Sequence, residues 1–278
     1  MMQGDNESIR TTDRRIALLI DADNVSHAKI AAILAELSKY GTANVRRAYG
    51  DWTSTGLKGW KDKLHDFAIR PIQQFSYSTG KNATDIALVI DAMELLYTQR
   101  PEAFCLVSSD ADFTPLVMQL KANGQEVYGF GERKTPSPFV SACTTFLYLD
   151  TLEGAAEPTA VSAEMAQEAA NTQHPDGPQD VGGERMPSVR RPLSQDTKLV
   201  TILRGAIEAS AHEDGWAAMS AAGSAAKRQA SIDPRNYGVR NFPALFAATG
   251  LFEIVKMDNG QGFVADRRNR DRAPKPTR

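Results

Sequence analysis

The run Ile16-Ala17-Leu18-Leu19-Ile20, which leads directly into Asp21-Ala22-Asp23-Asn24, decides the fold of this chain. An unbroken apolar run of this length is typical of a strand buried on both faces, as in a parallel sheet covered by helices. A second run, Ala103-Phe104-Cys105-Leu106-Val107, leads in the same way into Ser108-Ser109-Asp110-Ala111-Asp112. Because ligands collect at the carboxyl ends of the strands in an open α/β sheet, we expect the acids behind these runs to converge.

Strand-like and helical stretches alternate around these runs through residue 150. The alternation predicts right-handed crossovers, a mostly parallel sheet with helices on both faces, and a central first strand. The predicted strands are 16–20, 43–49, 69–75, 103–108, 126–130 and 145–149. The predicted helices are about 25–40, 57–67, 82–98, 113–122 and 137–143, with N-capping as the purely structural interpretation of Asn24 and Asp112.

A third helix start adds an acid to the same side of the sheet, because Asp85 lies in the first turn of the 82–98 helix. Asp91 does not share its helix face with Asp85, since more than one and a half turns separate them, and it is kept as an outer candidate. Carboxylates crowded at one crevice repel one another unless a hard cation neutralises them, and oxygen ligands favour Mg²⁺ or Mn²⁺ over zinc. The pattern predicts an acidic metal site suited to phosphodiester chemistry.

The length of 278 residues exceeds one average domain, and two are expected. We place the first at residues 14–150 and the second at residues 196–266. Residues 151–195 combine Ala, Glu, Gln, Pro and Gly with scattered apolar side chains, which predicts a flexible linker. The formal net charge is −2, but basic residues accumulate in the tail, 267–278. That tail is interpreted either as a phosphate-tracking segment or as a solubilising end.

The remaining composition narrows the function classes. The 4 histidines are scattered without metal-ligand spacing, which argues against a histidine-centred active site. The two cysteines, Cys105 and Cys143, have apolar surroundings that predict buried free thiols. No apolar run approaches the ~20 residues that a membrane-spanning helix needs, so we expect a cytoplasmic protein without membrane contact.

The C-terminal region shows helical periodicity over 197–210, 218–229 and 239–248, followed by two strands joined at Asn259-Gly260. Three helices and a hairpin fit a winged helix. Trp216 and Phe242 are interpreted as core rather than as base-stacking residues. The candidate phosphate contacts are basic residues that bracket the third helix, which such folds present to nucleic acid: Lys227, Arg228, Arg235 and Arg240.

Three stretches of the first domain together resemble the NYN domain, a PIN-like nuclease family that includes bacterial LabA-type proteins. They are Leu19–Asn24, Gly80–Met93 and Val107–Leu116. The resemblance implies a PIN-like, Rossmannoid sheet and a metal-dependent ribonuclease activity. It places five residues on the acidic centre of the family, namely Asp21, Asn24, Asp85, Asp110 and Asp112, with Asp23 one residue aside.

These residues suggest a division of roles around Mg²⁺ or Mn²⁺. Asp21 and Asp110 would bind the metal directly, and Asp85 and Asp112 would complete the shell directly or through water. Asn24 would orient a water or a phosphate, while Asp23 and Asp91 stay secondary candidates. A metal-activated water needs no nucleophilic side chain, which agrees with the scattered histidines.

The second domain is similar to the OST-HTH module, also called LOTUS, a winged helix associated with RNA. The residues that carry the similarity are Asp214-Gly215-Trp216, Asp233-Pro234-Arg235-Asn236-Tyr237-Gly238 and Phe252-Glu253-Ile254. The start of its second helix, Met219 to Gly223, departs from the leucine-rich pattern of the family, which affects the expected details of RNA contact rather than the fold.

Three functions follow from these observations. The leading hypothesis is a metal-dependent RNA endonuclease whose C-terminal domain binds RNA. The alternative is a non-catalytic RNA-binding regulator with a vestigial cation site. A third is phosphotransfer through an aspartyl nucleophile in Asp21-Ala22-Asp23, against which the chain lacks an obvious partner lysine. A protein partner for the C-terminal domain and a homodimer are left open.

Overall fold

A computed structural model describes residues 14–75, 83–152, 192–269 and 271–276. Six strands of the first domain form one parallel sheet: β1 (Arg15–Asp21), β2 (Thr42–Gly50), β3 (Arg70–Gln73), β4 (Ala103–Val107), β5 (Glu126–Gly131) and β6 (Thr145–Tyr148). They are arranged in the order β3-β2-β1-β4-β5-β6, and every neighbouring pair is parallel. The predicted PIN-like parallel sheet with a central first strand is therefore confirmed.

Helices cover both faces of this sheet, as the unbroken apolar runs predicted. They are α1 (Ile30–Leu37), α2 (Trp60–Asp66), α3 (Ala83–Thr98), α4 (Thr114–Ala122) and α5 (Ser137–Ala142). Alternate residues of β1 enter different cores: Ile16, Leu18 and Ile20 pack with α1 and α2, whereas Ala17 and Leu19 pack with α3 and α4. A strand that is buried on both sides needs apolar residues at every position, which is why β1 and β4 show no polar alternation.

The start of the first helix differs from the prediction. A 3-10 helix at His27–Lys29 precedes α1, and the side chain of Ser26, rather than that of Asn24, caps it by accepting from the amide of Ala28. The Asn24 side chain instead turns back toward Asp21. The capping interpretation of Asn24 was therefore wrong.

The second domain consists of three helices and a small antiparallel sheet. Its elements are α6 (Thr197–Glu208), β7 (Ala217–Ala218), α7 (Met219–Gln229), α8 (Phe242–Thr249), β8 (Phe252–Lys256) and β9 (Gly262–Asp266). The sheet order is β7-β9-β8, and β7 is a short strand that the sequence interpretation missed. Trp216 is 1% exposed, which confirms that it lies in the core.

The third helix of this domain begins three residues later than predicted, because residues before it form a separate turn. Asp233 caps a 3-10 helix at Pro234–Tyr237, and Gly238 closes it with a φ of 79°. A positive φ is easily adopted by glycine and ends a helix, so α8 starts afresh with Asn241 as its N-cap.

The ends of the second domain are also more structured than expected. Leu193–Gln195 form a 3-10 helix, and Leu193 packs against the core of this domain, so the domain starts before residue 196. At the other end, the Ala273 amide donates to the Asp214 carbonyl, and the Ala273 carbonyl accepts from Trp216 Nε1. The described part of the tail therefore packs on the domain. Most of the predicted linker lies outside the described residues.

The composition gave expectations for the two cysteines and for membrane-spanning helices. Cys105 and Cys143 are both free and buried, as predicted. Among the described residues, none of the helices has the length and apolar character that crossing a bilayer requires.

Candidate acidic site and cationic surface

Asp21 lies at the end of β1 and is fully buried. The Asn24 side-chain amide lies 3.2 and 3.0 Å from its two oxygens and donates to them, and the Ser108 hydroxyl donates to Oδ2 at 2.8 Å. Burial raises the pKa of Asp21, while the hydrogen bonds from Asn24 and Ser108 oppose that rise. These two donors therefore hold the carboxylate in a defined orientation at the carboxyl end of the sheet.

Asp85 lies in the first turn of α3 and is half-buried. Its pKa is raised to about 6, first by burial and then by the negative charges of four other residues: Asp21, Asp110, Asp112 and Asp23. A carboxylate that responds to four others must lie within their electrostatic reach. Strand ends and helix starts that are distant in sequence thus bring five acids into one electrostatic neighbourhood.

The Ser108 to Asp112 segment is held by its own hydrogen bonds. Ser108 Oγ accepts from the Asp110 amide at 3.1 Å, and the Asp110 carboxylate accepts from the Asp112 amide at 2.8 Å. Asp110 is therefore the N-cap of the 3-10 helix Ala111–Phe113, and the capping interpretation of Asp112 was wrong by two residues. The Asp112 side chain is exposed.

Asp23 connects the strand end to the start of α3. Its Oδ2 accepts from the Thr84 hydroxyl at 2.9 Å, and its Oδ1 accepts from the Asp51 amide at 3.3 Å. Since Thr84 is the immediate neighbour of Asp85, this contact fixes the helix turn from which Asp85 projects.

Asp91 has different surroundings from the other candidates. One of its oxygens pairs with the Arg47 guanidinium on β2, and the other accepts from the Tyr49 hydroxyl. Both oxygens are therefore used in packing α3 against the sheet. The structure gives Asp91 a structural ion pair and not a place among the charges that act most on Asp85.

The side chains around Asp85 offer carboxylate oxygens to the predicted Mg²⁺ or Mn²⁺. Carboxylate oxygens are the ligands that Mg²⁺ and Mn²⁺ prefer. Within the described residues, however, no three acidic, histidine or cysteine side chains are already grouped closely enough to hold an ion. The chemistry of these oxygens fits a hard divalent cation.

Two residues of the site were not among the sequence-based candidates. Ser108 is 1% exposed and Thr84 is 7% exposed, and each donates its hydroxyl to an acid, Asp21 and Asp23 respectively. The signal for Ser108 was available, because a small polar residue directly behind a buried strand lies where ligands collect. Thr84 gave no such signal, since its partner is 61 residues away.

The four predicted phosphate contacts fall into two groups. Lys227, Arg228 and Arg240 are exposed. Lys227 lines a groove of about 690 Å³ between α7, the start of α8 and the hairpin, where its Nζ lies 5.9 Å from the centre of the Phe242 ring. Arg235 is instead paired with Asp233 at 2.9 Å and with Glu36 of the first domain at 2.7 Å. Its role in binding RNA stays a prediction.

Three basic residues in the described part of the tail are similarly engaged. Arg268 pairs with Asp266 at 3.1 Å, Lys275 pairs with Glu253 at 2.9 Å, and Arg272 also bonds to Glu253. The Arg272 guanidinium carbon lies 5.6 Å from the centre of the Trp216 ring. These charges are used inside the domain, which leaves less of the tail for phosphates than its composition suggested.

Comparison with protein families identifies both domains. Residues 15–150 match the NYN domain, and residues 191–264 match the OST-HTH/LOTUS domain. The chain thus contains an NYN domain, which is a nuclease-type fold, and an OST-HTH/LOTUS domain, a module that suggests RNA binding.

Two individual proteins are similar to parts of the chain. An uncharacterized protein of Methanocaldococcus jannaschii is 29% identical over 126 residues, which are 44% of this chain and 49% of that protein. The chain therefore spans about half the length of this relative. A crystal structure of a protein of unknown function from Vibrio parahaemolyticus aligns with a TM-score of 0.42 at 19% identity, covering 53% of this chain and 96% of the other.

Proposed function

We propose that this protein is a metal-dependent endoribonuclease. The acidic site at the carboxyl end of its NYN sheet hydrolyses RNA phosphodiester bonds with Mg²⁺ or Mn²⁺, and its OST-HTH domain binds the RNA. The observation that carries the proposal is the placement of Asp21, Asp85 and Asp110 at the carboxyl end of the NYN sheet, where burial and four neighbouring acids raise the pKa of Asp85. A fold gains no stability from crowding like charges, so such an arrangement points to a bound cation.

The residues of the site have separable tasks in this proposal. Asp21 and Asp110 would hold the cation, with Asp85 and Asp112 completing the shell directly or through water. When bound, the cation would lower the pKa of an attacking water and would neutralise charge on the phosphate. Asn24 and Ser108 keep Asp21 oriented, and Asp23 positions the first turn of α3 through Thr84.

The test is incubation of the full chain with a circular RNA and with a mixed cellular RNA pool in the presence of Mn²⁺. A circular RNA has no ends, so its opening reports an endonuclease. We expect cleavage that EDTA abolishes and that falls at least a hundredfold in Asp21→Asn and Asp110→Asn. Asp66→Asn, which removes an exposed carboxylate at the end of α2, is the matched control and should cleave normally.

One observation favours a second candidate function, that of a non-catalytic RNA-binding regulator. The described acids are not grouped tightly enough to hold an ion as they stand. RNA binding by the full chain, without cleavage of either substrate at any Mn²⁺ concentration, would establish that candidate. Detection of a phospho-aspartate would instead favour phosphotransfer.

A further inference from the structure

The strand β6 is the last strand of the NYN sheet, and one of its edges faces the second domain. The Asn236 side-chain amide donates to the Phe146 carbonyl at 2.8 Å and accepts from the Tyr148 amide at 3.2 Å. Backbone groups two residues apart on a strand point to the same edge, so this one side chain makes the bonds that a neighbouring strand would make. Asn236 therefore covers part of an otherwise open sheet edge.

The neighbouring residue, Arg235, contacts a second point on the NYN domain. Its guanidinium pairs with the Glu36 carboxylate on α1 at 2.7 Å, and it lies 3.5 Å from the Tyr40 hydroxyl. Glu36 is only 5% exposed. Burial by itself would raise the pKa of Glu36, but the hydrogen bonds from Arg235 and Lys39 outweigh that effect and lower it. The buried carboxylate is thus kept ionised partly by a cation from the other domain.

Arg133, in the loop after β5, makes the third contact. Its guanidinium lies over the Tyr148 ring at 4.5 Å, donates to the Asn236 carbonyl at 2.8 Å and pairs with Asp150 at 2.9 Å. The arginine is therefore held between the edge strand and the turn of the second domain.

The same loop reaches the acidic site on its other side. The Glu132 amide donates to Ser109 Oγ at 2.8 Å. Directly before the loop, the last residue of β5, Gly131, also approaches the site closely, since an added Cβ there would lie 2.6 Å from the Ser108 carbonyl. Since Ser108 holds Asp21, a continuous set of contacts leads from the turn of the second domain to the buried carboxylate.

We propose that the turn Asp233–Gly238 is a docking element that seats the OST-HTH domain on the β6 edge and α1 of the NYN domain. Arg133 is the positioning residue that connects the docked turn to the acidic end of the sheet. The capped turn presents Arg235 and Asn236 to two different elements of the NYN domain, α1 and β6, so the docked orientation is specified at two points. The docking does not depend on the proposed function, whereas the positioning role of Arg133 rests on it.

The contacts between the domains are polar, and a cleft of about 750 Å³ lies beside them, lined by residues of both domains such as Lys39, Asp150 and Arg240. Polar interfaces within one chain commonly open and close. Docking is therefore specific in orientation and sensitive to the loss of one or two contacts.

Amide hydrogen exchange of the full chain tests the docking without any activity measurement. The Tyr148 amide, whose acceptor is Asn236, should be protected in the wild type and should exchange at least tenfold faster in Asn236→Ala. Amides of β1 should be unchanged, which excludes unfolding. Arg228→Ala, which removes an exposed arginine from the same domain, should leave Tyr148 protected. An unprotected Tyr148 in the wild type, or equal rates in Asn236→Ala, would overturn the proposal.

Distances between spin labels at Gln119→Cys on α4 and Ser224→Cys on α7 provide a second readout, because both native cysteines are buried and both label positions are exposed. We expect one narrow distance distribution in the wild type and a broad one in Arg235→Ala and in Glu36→Gln. The two variants remove the same ion pair from opposite domains, so misfolding of either domain cannot explain a shared result. A broad distribution already in the wild type would contradict docking.

The positioning role of Arg133 has its own test. Arg133→Ala should speed exchange of the Glu132 amide, and it should lower kcat several-fold with little change in KM, with partial recovery in Arg133→Lys. Unchanged exchange at Glu132 would remove the positioning role. If docking is confirmed but the wild type cleaves no RNA, the proposed function fails while the docking element stands.

Discussion

Two aspartate-led turns, one in each domain, share their local geometry and differ in their electrostatic surroundings. Asp110 accepts from the Asp112 amide at 2.8 Å, and Asp233 accepts from the Arg235 amide at 2.9 Å, each as the N-cap of a 3-10 helix. Asp233 is also paired with Arg235, whereas Asp110 adds its charge to that of Asp85. The same capping motif thus builds a structural turn in one domain and an acidic site in the other.

The difference shows that capping does not decide whether an aspartate is structural. What distinguishes the two turns is charge compensation. Other acids of the chain are paired with an arginine, as Asp233 is. They are Asp91 with Arg47, Asp266 with Arg204 and Glu253 with Arg272. The acids around Asp85 raise its pKa, and a bound cation would favour its ionised form.

The largest effect should come from exchanging the two capping acids for asparagine. Asn preserves the cap, so Asp110→Asn should fold and should lose at least a hundredfold in RNA cleavage. Asp233→Asn should lose less than tenfold, because its partners are Arg235 and a backbone amide rather than the site. Single-turnover cleavage in Mn²⁺ measures both. Equal losses in the two variants would show that compensation does not separate site acids from structural ones.

The second effect concerns Asp85 in the absence of metal. Its folded pKa of about 6 lies above the ordinary value of 3.8, so its ionisation disfavours the folded state. That destabilisation should be absent near pH 4, grow as the pH rises toward 6 and stay constant above it. Asp85→Asn should therefore melt several degrees higher than the wild type at pH 7 in EDTA and show little difference near pH 4.

Added Mg²⁺ or Mn²⁺ sharpens that measurement. A ligand that binds only the folded state raises its stability, so millimolar cation should raise the melting temperature of the wild type and should raise that of Asp85→Asn much less. Asp66→Asn is the control for a general charge effect and should respond to the cation as the wild type does. A melting difference between wild type and Asp85→Asn that does not depend on pH would contradict the crowding of acids.

A smaller effect should follow from removing a compensating cation in the second domain. Arg272 bonds to Glu253 and the Asp266 carbonyl and lies over the Trp216 ring. Arg272→Ala should destabilise this domain by about 1–2 kcal/mol, because it removes charge-assisted hydrogen bonds and a cation–π contact. Chemical denaturation followed by Trp216 fluorescence reports it. Unchanged stability would show that the tail is only loosely associated.

The smallest effect should appear in the salt dependence of RNA binding. Each phosphate contact contributes roughly 0.7–0.9 to the slope of log K against log salt concentration. Lys227→Ala and Arg240→Ala should each reduce that slope by about that amount, whereas Arg235→Ala should not, since its guanidinium is paired with two carboxylates. If Arg235→Ala reduced the salt slope as much as Lys227→Ala does, Arg235 would be shown to contact RNA phosphates.

The sequence by itself determined the order and type of nearly all the elements. The runs at Ile16 and Ala103 identified the two central strands, because a strand buried on both faces must be apolar throughout. Asp21, Asp85 and Asp110 were recognisable as site candidates, since each follows a buried strand or opens a helix at the carboxyl end of the sheet. These features depend on neighbours in the sequence.

Only the tertiary structure decided which charged residues are compensated. Asp85 and Asp91 lie on one helix, yet Asp91 pairs with Arg47 while Asp85 lies within the electrostatic reach of other acids. Arg235 belonged by pattern to the phosphate contacts, and the fold placed it against Glu36, a buried acid 199 positions earlier in the chain. Ion pairs and edge contacts of this kind join segments that are distant in sequence. Local periodicity therefore holds no information about them, and they form only when these distant segments pack together.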